Sequence, residues 1–330
     1  MDPTIQLNIE SLKFPPEEKE ILRNINLTVY QGEFIALTGS AASGKSMLLH
    51  CITGAAEKFF NGQITGSVRI MGEDLREIPL TDMCRYAGYM MQEPQNQIVS
   101  LSAEEEVAFG LANLELPWDE IQQRSKEMLQ FVGLQDFGPR KTAQLSGGQA
   151  QRVVLAGVLA MKTPILVLDQ PTAELDRKGR KELYAHIGYL NKEKGVTVVM
   201  VMDRDEEIRR YADRILVMDK GTVTEEVFPE NCVNRQRFGW RENDRSSAKE
   251  EPVFNDPVIK TKPSTKENLI NVQDVSFTYK SGFTGCRNIS FSINQGDFAA
   301  IMGQNGSGKT TLLKLMEGLL APERGTIEIF

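Results

Sequence analysis

The chain has 330 residues, which is long enough for two domains, and its 41% hydrophobic and 25% charged residues are ordinary for a globular protein. A net charge of −7 does not indicate a surface that coats nucleic acid, and no apolar run reaches the roughly 18 residues that predict a membrane-spanning helix. The N-terminal sequence lacks a signal-peptide pattern, and the four cysteines lack C-x-x-C spacing, so we expect incidental thiols in a reducing cytoplasm rather than disulfides or a metal site.

The first predicted elements are two strands of an antiparallel edge, residues 5–14 and 21–30, joined by a charged turn. Residues 33–38, EFIALT, form a short, apolar, β-prone run, and residues 47–54 have the spacing of a helix that ends in glycine. Between them, residues 39–46 read GSAASGKS and fit the phosphate-loop pattern G-x-x-x-x-G-K-[ST].

This order of strand, glycine-rich loop and helix predicts a nucleotide phosphate site. Loop N–H groups and the helix N-terminus point at phosphate oxygens. Lys45 adds a positive charge for the outer phosphates, and the Ser46 hydroxyl can ligate Mg²⁺. The alternative is a chance glycine turn before a helix, which the agreement between the motif and its flanks disfavours.

Residues 102–135 are helical in pattern in two stretches, LSAEEEVAFGLANL and then WDEIQQRSKEMLQFVGL, and Ser102 with Glu105 indicates a capping box. Residues 145–149, LSGGQ, open another helix, and a serine with two glycines at a helix N-terminus indicates a second anion site. A plain helix cap is the alternative. Two anion sites of different make suggest one ligand clamped between two subunits.

Two continuous apolar runs, residues 165–169 and 196–203, predict buried parallel strands with helices between them, so the fold class is α/β. Asp169 closes the first strand, where a carboxylate can hold Mg²⁺ beside the Lys45 loop. A cap or turn aspartate is the alternative, and the pairing with a phosphate loop favours the metal interpretation.

The chain also contains a repeat, because residues 22–54 recur without a gap as residues 286–318, which aligns Lys45 with Lys309. A period of this size predicts two copies of one nucleotide-binding domain. Everything after the first helix of copy one lacks a counterpart in copy two, and the sequence leaves open whether this reflects a fragment or a broken reading frame.

The expected organisation follows from this repeat and from composition. The segment between the copies is rich in proline and charge, which favours a flexible linker over an inserted domain. We therefore expect a first domain over residues 1–228, a linker over 229–267, and an incomplete second domain over 268–330.

The order of the motifs resembles that of the ABC-transporter ATPases: the phosphate loop, Gln92, LSGGQ, ILVLD at residues 165–169 and AELD at residues 173–176. The resemblance covers nearly all of the first predicted domain and the beginning of the second. It implies a P-loop NTPase of the ABC ATPase type, with a mainly parallel sheet, an antiparallel β edge layer, and a helical subdomain near residues 100–145. Residues 92–97, QEPQNQ, look like the energy-coupling factor branch, which serves vitamin and metal-ion uptake.

The resemblance implies roles for individual residues. Phe14 and Tyr279 would stack on adenine, although an ordinary core or edge aromatic is the alternative for Phe14. Residues 146–149 would contact the γ-phosphate of a nucleotide held by a facing domain, and Asp176 would lie at the dimer interface. The implied metal ligands are Ser46, Gln92, Asp169 and Thr310. The full predicted nucleotide-binding set is Phe14, Gly39, Ser40, Ala41, Ala42, Ser43, Gly44, Lys45, Ser46, Met47, Ser146, Gly147, Gly148, Gln149, Tyr279, Gly303, Asn305, Gly306, Ser307, Gly308, Lys309, Thr310 and Thr311.

The chain departs from the family pattern at its predicted catalytic residues, which are Gln170, Asp203 and Gln92. Gln170 stands where the family has a glutamate that polarises water, and an amide cannot accept a proton as a carboxylate does. Asp203 stands where the family has a histidine that contacts the γ-phosphate, and a negative charge there has the wrong sign. Gln170 is either an engineered change that traps ATP or a natural degenerate site, and Asp203 favours the second.

Two further expectations concern Ala42 and the histidines. Ala42 replaces the glycine found in copy two at Gly306, and its methyl group is tolerated if the residue does not need a positive φ. His50 and His186 lie on helical stretches without a motif partner, which predicts structural or surface roles.

The resemblance implies an ATP-binding and ATP-hydrolysing subunit of a membrane importer, with ATP and Mg²⁺ as cofactors. It would lie peripherally on the cytoplasmic membrane face, bind transmembrane subunits through its helical subdomain and Gln92 loop, pair with a second ABC ATPase domain, and bind no nucleic acid. Weak or absent hydrolysis is expected for this chain alone. The alternatives are a non-hydrolysing regulatory nucleotide-binding subunit and a soluble tandem ABC protein that acts on ribosomes.

Overall fold

The computed structural model describes residues 3–17, 19–173, 175, 177–202, 206–227, 268–279, 284–303 and 307–330. The chain divides into two compact units, Met1–Glu250 and Glu251–Phe330. The predicted linker at residues 229–267 lies outside the described residues, so the predicted domain boundaries stay a prediction.

The first unit contains ten strands and seven α-helices among its described residues. The strands are β1 (Pro3–Lys13), β2 (Leu22–Tyr30), β3 (Phe34–Gly39), β4 (Gln63–Ile70), β5 (Glu73–Asp74), β6 (Ala87–Met90), β7 (Ile165–Asp169), β8 (Thr197–Val201), β9 (Arg214–Asp219) and β10 (Thr222–Val227). The helices are α1 (Lys45–Ile52), α2 (Ala55–Lys58), α3 (Met83–Tyr86), α4 (Ala103–Asn113), α5 (Trp118–Phe131), α6 (Gly147–Ala160) and α7 (Arg177–Lys194). Short 3₁₀ segments lie at Leu80–Asp82, Pro94–Asn96, Thr142–Gln144 and Glu206–Arg210.

An antiparallel sheet of four strands, in the order β2-β1-β4-β5, confirms the predicted edge layer. Leu7 on β1 lies opposite Leu27 on β2 and Val68 on β4. These three side chains are buried in one core cluster together with Leu48 and Ile52 of α1. Apolar residues at every second position therefore give the layer one buried face, which packs in the same core as α1.

The central sheet has six strands in the order β10-β9-β3-β8-β7-β6. All neighbours are parallel except β10, which runs antiparallel to β9. Ile35 and Leu37 of β3 belong to the core that contains α1, whereas Phe34 and Ala36 belong to a second core built with helices α4 to α7. Burial on both faces explains why its parallel strands read as continuous apolar runs, and the α/β class is confirmed.

The helical subdomain contains two helices, which correspond to the two predicted helical stretches. α4 ends at Asn113, and Pro117 is the N-cap residue of α5. The capping box is present: the backbone N–H of Glu105 donates to Ser102 Oγ, and the backbone N–H of Ser102 donates to Glu105 Oε2. None of the helices in the described ranges is both long and apolar enough to cross a membrane.

The second unit contains three described antiparallel strands and one helix. The strands are β11 (Asn268–Thr278), β12 (Thr284–Asn294) and β13 (Arg324–Ile329), in the order β12-β11-β13, and the helix is α8 (Lys309–Met316). Residues 298–303, which correspond to β3 in the repeat, belong to no strand, and Phe298 is 99% exposed. No parallel strand in the described part of this unit is available to pair with that segment.

Candidate functional site

The loop at residues 39–46 wraps around the ammonium group of Lys45. Lys45 Nζ donates to the carbonyl oxygens of Gly39 at 3.0 Å and Ser40 at 2.7 Å, and it lies 3.4 Å from Ser43 Oγ. The Lys45 side chain is buried in this loop at the first position of α1. The ammonium group is thus held at the N-terminus of a helix, where an anion binds most favourably.

Two glycines allow this loop to close. Gly39 and Gly44 have φ angles of 148° and 100°. A Cβ atom at Gly39 would lie 2.1 Å from the carbonyl oxygen of Met218, and one at Gly44 would lie 2.8 Å from Leu22 Cδ2. Neither position accepts a larger residue without movement of the backbone or the core.

Ala42 has a φ of 57°, in the left-handed region. Its methyl group was expected to be tolerated only if the residue did not need a positive φ, and that condition is not met. A residue with a Cβ in this conformation costs roughly 1–2 kcal/mol. Ala42 is solvent-exposed, so the methyl group meets no packing obstacle. The corresponding Gly306 lies outside the described residues.

Asp169 lies buried at the carboxyl end of β7, as the sequence predicted. Burial raises the pKa of this carboxyl above its ordinary value, while the Ser46 hydroxyl, which hydrogen-bonds to it, and the Lys45 charge lower it in part. Asp169 Oδ1 has no hydrogen-bond partner among the described residues. A buried carboxylate oxygen that lacks a donor, beside a serine hydroxyl, fits a hard divalent cation.

These oxygen ligands suit Mg²⁺ that is also bound by water and phosphate, rather than a metal ion whose ligands all come from the protein. In the described ranges, no three His, Cys, Asp or Glu side chains come together as a metal cage. Mg²⁺ commonly takes one or two carboxylates and completes its coordination with water and phosphate oxygens. Asp169 and Ser46 supply such a partial set beside the loop.

Two predicted catalytic residues come together at the ends of neighbouring parallel strands. Gln92 Nε2 donates to Gln170 Oε1 at 3.1 Å. Gln170 has a φ of 49°, and its backbone N–H donates to the carbonyl of Val201 at 3.0 Å. The third predicted catalytic residue, Asp203, lies outside the described residues, as does Asp176.

Sequence reasoning missed Gln97, which fixes the loop that carries Gln92. Gln97 Oε1 accepts from the backbone N–H of Met91 at 2.6 Å, and its Nε2 donates to the carbonyl of Tyr89 at 3.1 Å. This side chain therefore holds the loop against the end of β6. The glutamine-rich run QEPQNQ was the available signal, but the sequence did not say which glutamine is structural.

The LSGGQ segment forms a helix cap in this structure. Ser146 Oγ accepts from the backbone N–H of Gln149 at 3.4 Å, and Gln149 Oε1 accepts from the backbone N–H of Ser146 at 3.0 Å. Gly147 and Gly148 form the first turn of α6. Among the described residues no hydrogen bond joins this segment to the phosphate loop of its own unit.

The predicted adenine-stacking aromatics have different surroundings in their two units. Phe14 is partly buried against the core, and a Cβ atom at Gly62 would lie 3.0 Å from its ring. The Tyr279 hydroxyl lies 3.1 Å from Thr311 Oγ1, and its ring meets Phe277 edge-on at 5.0 Å. The contacts of Phe14 agree with a core aromatic as well as with a stacking one.

The second phosphate loop repeats the local geometry of the first. Lys309 Nζ donates to the carbonyl of Gly303 at 2.8 Å, as Lys45 does to Gly39. Gly308 has a φ of 92°, and Thr310 lies in the first turn of α8. Asn305 and Gly306 of this predicted site lie outside the described residues.

The two histidines lie among aromatic rings. The His50 ring is 4.8 Å from Phe60 and 5.7 Å from Tyr89, and burial lowers its pKa. The His186 ring is 4.2 Å from Phe131, and burial lowers its pKa as well, against an opposing effect of Glu182. These neighbours agree with structural roles.

Comparison with known proteins identifies what this arrangement resembles. A family model described as ABC transporter matches residues 22–173 and 286–330, more than half of the chain. An ABC transporter ATP-binding protein of Photobacterium profundum is 31% identical over 98% of this chain and 63% of its own length, and one of Methanosarcina mazei is 31% identical over 96% and 61%. The chain thus spans about three fifths of the length of these curated relatives.

Solved structures give the same result for the fold. A dimeric ATP-binding cassette, MJ0796, bound to ADP and Pi is 32% identical, with a TM-score of 0.61 over 68% of this chain and 98% of that one. CbiO1 from Clostridium perfringens, described as part of the ABC transporter complex CbiONQ, is 29% identical, with a TM-score of 0.61 over 72% of this chain and 94% of that one.

Proposed function

The chain belongs to the ABC transporter family of ATP-binding cassettes, and on this premise we propose that it is the ATP-binding subunit that powers a membrane importer of the energy-coupling factor type. The ABC ATPase fold is the fold of a P-loop NTPase that binds ATP with Mg²⁺. The importer type, the transmembrane partners and the weakness of hydrolysis are the proposal.

The observation that carries this proposal is the placement of Lys45, Ser46 and Asp169 at the carboxyl ends of strands in one parallel sheet. Phosphate oxygens would replace the carbonyl oxygens of Gly39 and Ser40 around the Lys45 ammonium group. Ser46 and Asp169 would hold Mg²⁺, which neutralises phosphate charge when it is bound.

Hydrolysis at this site is proposed to be slow. The water-polarising position carries Gln170, and its side-chain oxygen accepts a hydrogen bond from Gln92. An amide can orient a water molecule but cannot take its proton, and the loss of a general base costs about 10²–10⁴-fold in rate. The same amide pair favours the second candidate function, a regulatory subunit that binds ATP without hydrolysing it.

Exposed apolar side chains support docking to transmembrane subunits. Val99 and Leu101, which follow the Gln92 loop, are 66% and 82% exposed, and Phe109 of α4 and Trp118 of α5 are more than half exposed. Isolated exposed apolar residues are common, but four of them in one stretch after the loop suit a partner surface. We propose this stretch as the contact with a membrane complex, by analogy with CbiO1, and hence a peripheral place on the cytoplasmic membrane face.

The repeat supports a tandem protein in which a second cassette follows the first. The proposed boundaries are residues 1–228 for the first domain, 229–267 for the linker, and 268–330 for the beginning of the second. ATP would close two such domains head to tail, with the Lys45 loop of one facing LSGGQ of the other, and hydrolysis or release would reopen them.

Co-sedimentation tests the proposal. The chain, mixed with membranes and with ribosomes from its source, should sediment with the membranes, and Leu101→Asp with Phe109→Asp should release it without changing its affinity for Mg-ATP. A matched variant at an exposed aromatic residue of α7, Tyr189→Asp, should not. Sedimentation with ribosomes would overturn the proposed partner. So would membrane binding that is unchanged in the variant with Leu101→Asp and Phe109→Asp.

A further inference from the structure

A side chain closes the edge of the central sheet at β6. In the sheet that the structure describes, β6 is the last strand in the order and has a strand neighbour on one side only. Gln97 Nε2 donates to the carbonyl of Tyr89 at 3.1 Å, and Gln97 Oε1 accepts from the N–H of Met91 at 2.6 Å. A parallel neighbour would bond the same two groups, a carbonyl and the N–H two residues later. The Gln97 amide therefore takes the place of a further strand where the chain leaves β6 toward Gln92.

The chemistry of an amide is what this position needs. The Tyr89 carbonyl requires a donor and the Met91 N–H requires an acceptor, and a primary amide supplies one of each. A carboxylate supplies acceptors alone, so a glutamate could keep the bond to Met91 but not the one to Tyr89. Gln97 is half-buried, and hydrogen bonds that are shielded from water are stronger than exposed ones. The side chain is therefore a specific anchor for the backbone on either side of Met90.

The loop that this anchor closes is compact. The N–H of Gln97 donates to the carbonyl of Pro94 at 2.9 Å, and the N–H of Asn96 donates to the carbonyl of Glu93 at 3.0 Å. Pro94 itself is buried. Because the turn returns the chain to β6, anchoring Gln97 also fixes the path of the loop that begins after Met91. Gln92 is the first residue of that loop.

The Gln92 side chain is held at its other end by Gln170. Gln92 Nε2 donates to Gln170 Oε1 at 3.1 Å, and this bond does not use Gln92 Oε1. Gln170 directly follows Asp169, whose buried Oδ1 has no hydrogen-bond partner in the part of the chain that the structure describes. An amide oxygen and a carboxylate oxygen are both ligands that suit a hard cation. The anchored loop thus brings Gln92 to the strand end that carries the predicted metal carboxylate.

We propose that Gln97 is a positioning residue for the Mg²⁺ of the bound nucleotide, because its amide holds the loop in the conformation from which Gln92 coordinates the ion. The inference rests on the proposed function, in which Gln92 is a metal ligand. Without the anchor, the loop would have to be ordered on binding, at a cost in conformational entropy. Residues that orient a metal ligand typically contribute about 10–100-fold to metal affinity. Gln97 acts through Gln92 and contacts neither the nucleotide nor the ion.

The test measures what Mg²⁺ adds to ATP binding by the full chain. The affinity for fluorescent ATP is titrated in excess Mg²⁺ and again in EDTA, and the ratio of the two affinities is compared between variants. Gln97→Met, which keeps the length of the side chain but neither hydrogen bond, should lower this ratio about tenfold and leave the affinity in EDTA unchanged. Gln97→Glu, which keeps the acceptor, should lower the ratio less. Gln95→Met, at an exposed position of the same loop, is the matched control and should change nothing.

A double variant separates positioning from a general structural effect. If Gln97 acts through Gln92, then Gln92→Met combined with Gln97→Met should lower the ratio no further than Gln92→Met alone. Additive losses would show that the two residues act independently and would overturn the inference. A lower melting temperature with an unchanged ratio in the Gln97 variants would overturn it as well. If Gln97→Met does not fold, as judged by circular dichroism, the same comparisons are made with Gln97→Glu.

The measurements also distinguish this inference from the proposed function. An unchanged ratio in Gln92→Met would remove the metal ligand on which the inference rests, and so refute it while ATP binding stands. The absence of ATP binding by the unmodified chain would refute the proposed function itself. A failure confined to the Gln97 variants would overturn the positioning role alone.

Discussion

We propose that nucleotide binding in the first unit depends on Lys45. Its ammonium group is already confined within the loop by the carbonyl oxygens of Gly39 and Ser40. Lys45→Ala removes both the charge and its hydrogen bonds to phosphate, so we expect the affinity for Mg-ATP to fall at least tenfold, about 1.4 kcal/mol. Titration with fluorescent ATP measures this change. Lys126→Ala, at an exposed position of α5, serves as the control, and an unchanged affinity in Lys45→Ala would refute the assignment of the loop.

A substitution at Gln170 tests the proposed weakness of ATP hydrolysis. Gln170→Glu places a carboxylate where Gln92 Nε2 already donates, and it restores a proton acceptor beside the Asp169 end of the sheet. We expect faster release of phosphate from ATP, towards the 10²–10⁴-fold that a general base contributes. The exposed Gln95→Glu carries the same charge change in the nearby loop and should have no effect. If the unmodified chain already turns over ATP at about 1 s⁻¹, then Gln170 is not a deficit.

The site residues that could be predicted are those identified by a short contiguous stretch of sequence. Lys45 and Ser46 follow from one contiguous motif, and Asp169 from the end of one apolar run, so their sequence context was sufficient. The role of Gln97 was not predictable, because its two partners lie on the backbone of a loop whose path the sequence does not reveal. The positive φ of Ala42 was missed because alanine rarely adopts it.

At the scale of elements, a buried ion pair joins the start of β3 to β9. Arg214 Nη1 lies 2.8 Å from Glu33 Oε1 and also donates to the carbonyl of Thr28 at 2.9 Å, and Glu33 is fully buried. Burial raises the pKa of Glu33, and the Arg214 charge offsets this in part. The pair therefore places a buried carboxyl group against a guanidinium group beside the first residue of the strand that leads into the phosphate loop.

Arg214→Leu should cost about 3–5 kcal/mol of unfolding free energy at neutral pH, because it leaves the Glu33 charge buried without its counter-charge. Its loss raises the pKa of Glu33 further, so the penalty is full above that pKa and shrinks as the pH falls below it and the carboxyl becomes neutral. Urea unfolding at about pH 8 and pH 5 should therefore show a smaller loss at the lower pH. Arg85→Leu, at an exposed arginine, is the control, and an equal loss at both pH values would contradict the mechanism.

The strands were predictable where burial on both faces makes them continuously apolar. The predicted residues 165–169 coincide with β7, and the predicted 33–38 differ from β3 by one residue at each end. The two predicted helical stretches on either side of residues 115–117 correspond to α4 and α5, and Pro117 between them favours the start of a helix over its interior.

At the scale of the whole molecule, the two units share the phosphate loop, which forms from nearby residues, but differ in the strand before it, which needs distant partners. The second loop has the Lys309 to Gly303 contact of its counterpart, since that geometry arises within a few residues. Residues 298–303 form no strand although their sequence resembles β3, because a strand needs neighbours and β3 takes its neighbours from β8 and β9. The repeat therefore predicted the loop, and the absence from copy two of the later strands predicted that this segment would lack the neighbours of β3.

Residues 269–330, expressed alone, should be poorly stable. Their core cluster contains few buried side chains, and Phe298 and Met302 are 99% and 90% exposed. We expect no cooperative transition on heating, because so small a core cannot offset the entropy of ordering the chain. Circular dichroism of the fragment, with residues 1–228 as the comparison, makes the measurement. A sharp transition in the fragment would show that three strands and one helix suffice.

The position of β3 between β8 and β9 also sets an order in time. Phe34 pairs with Val198 and Ile35 with Arg214, so the strand that leads into the phosphate loop emerges from the ribosome about 160 to 180 residues before its two neighbours. At about 5–20 residues per second, synthesis of that interval takes roughly ten to thirty seconds. During this time an apolar strand with unpaired edges is exposed on the nascent chain, where a chaperone can bind it. The site for ATP can form only when synthesis of the first unit is nearly complete.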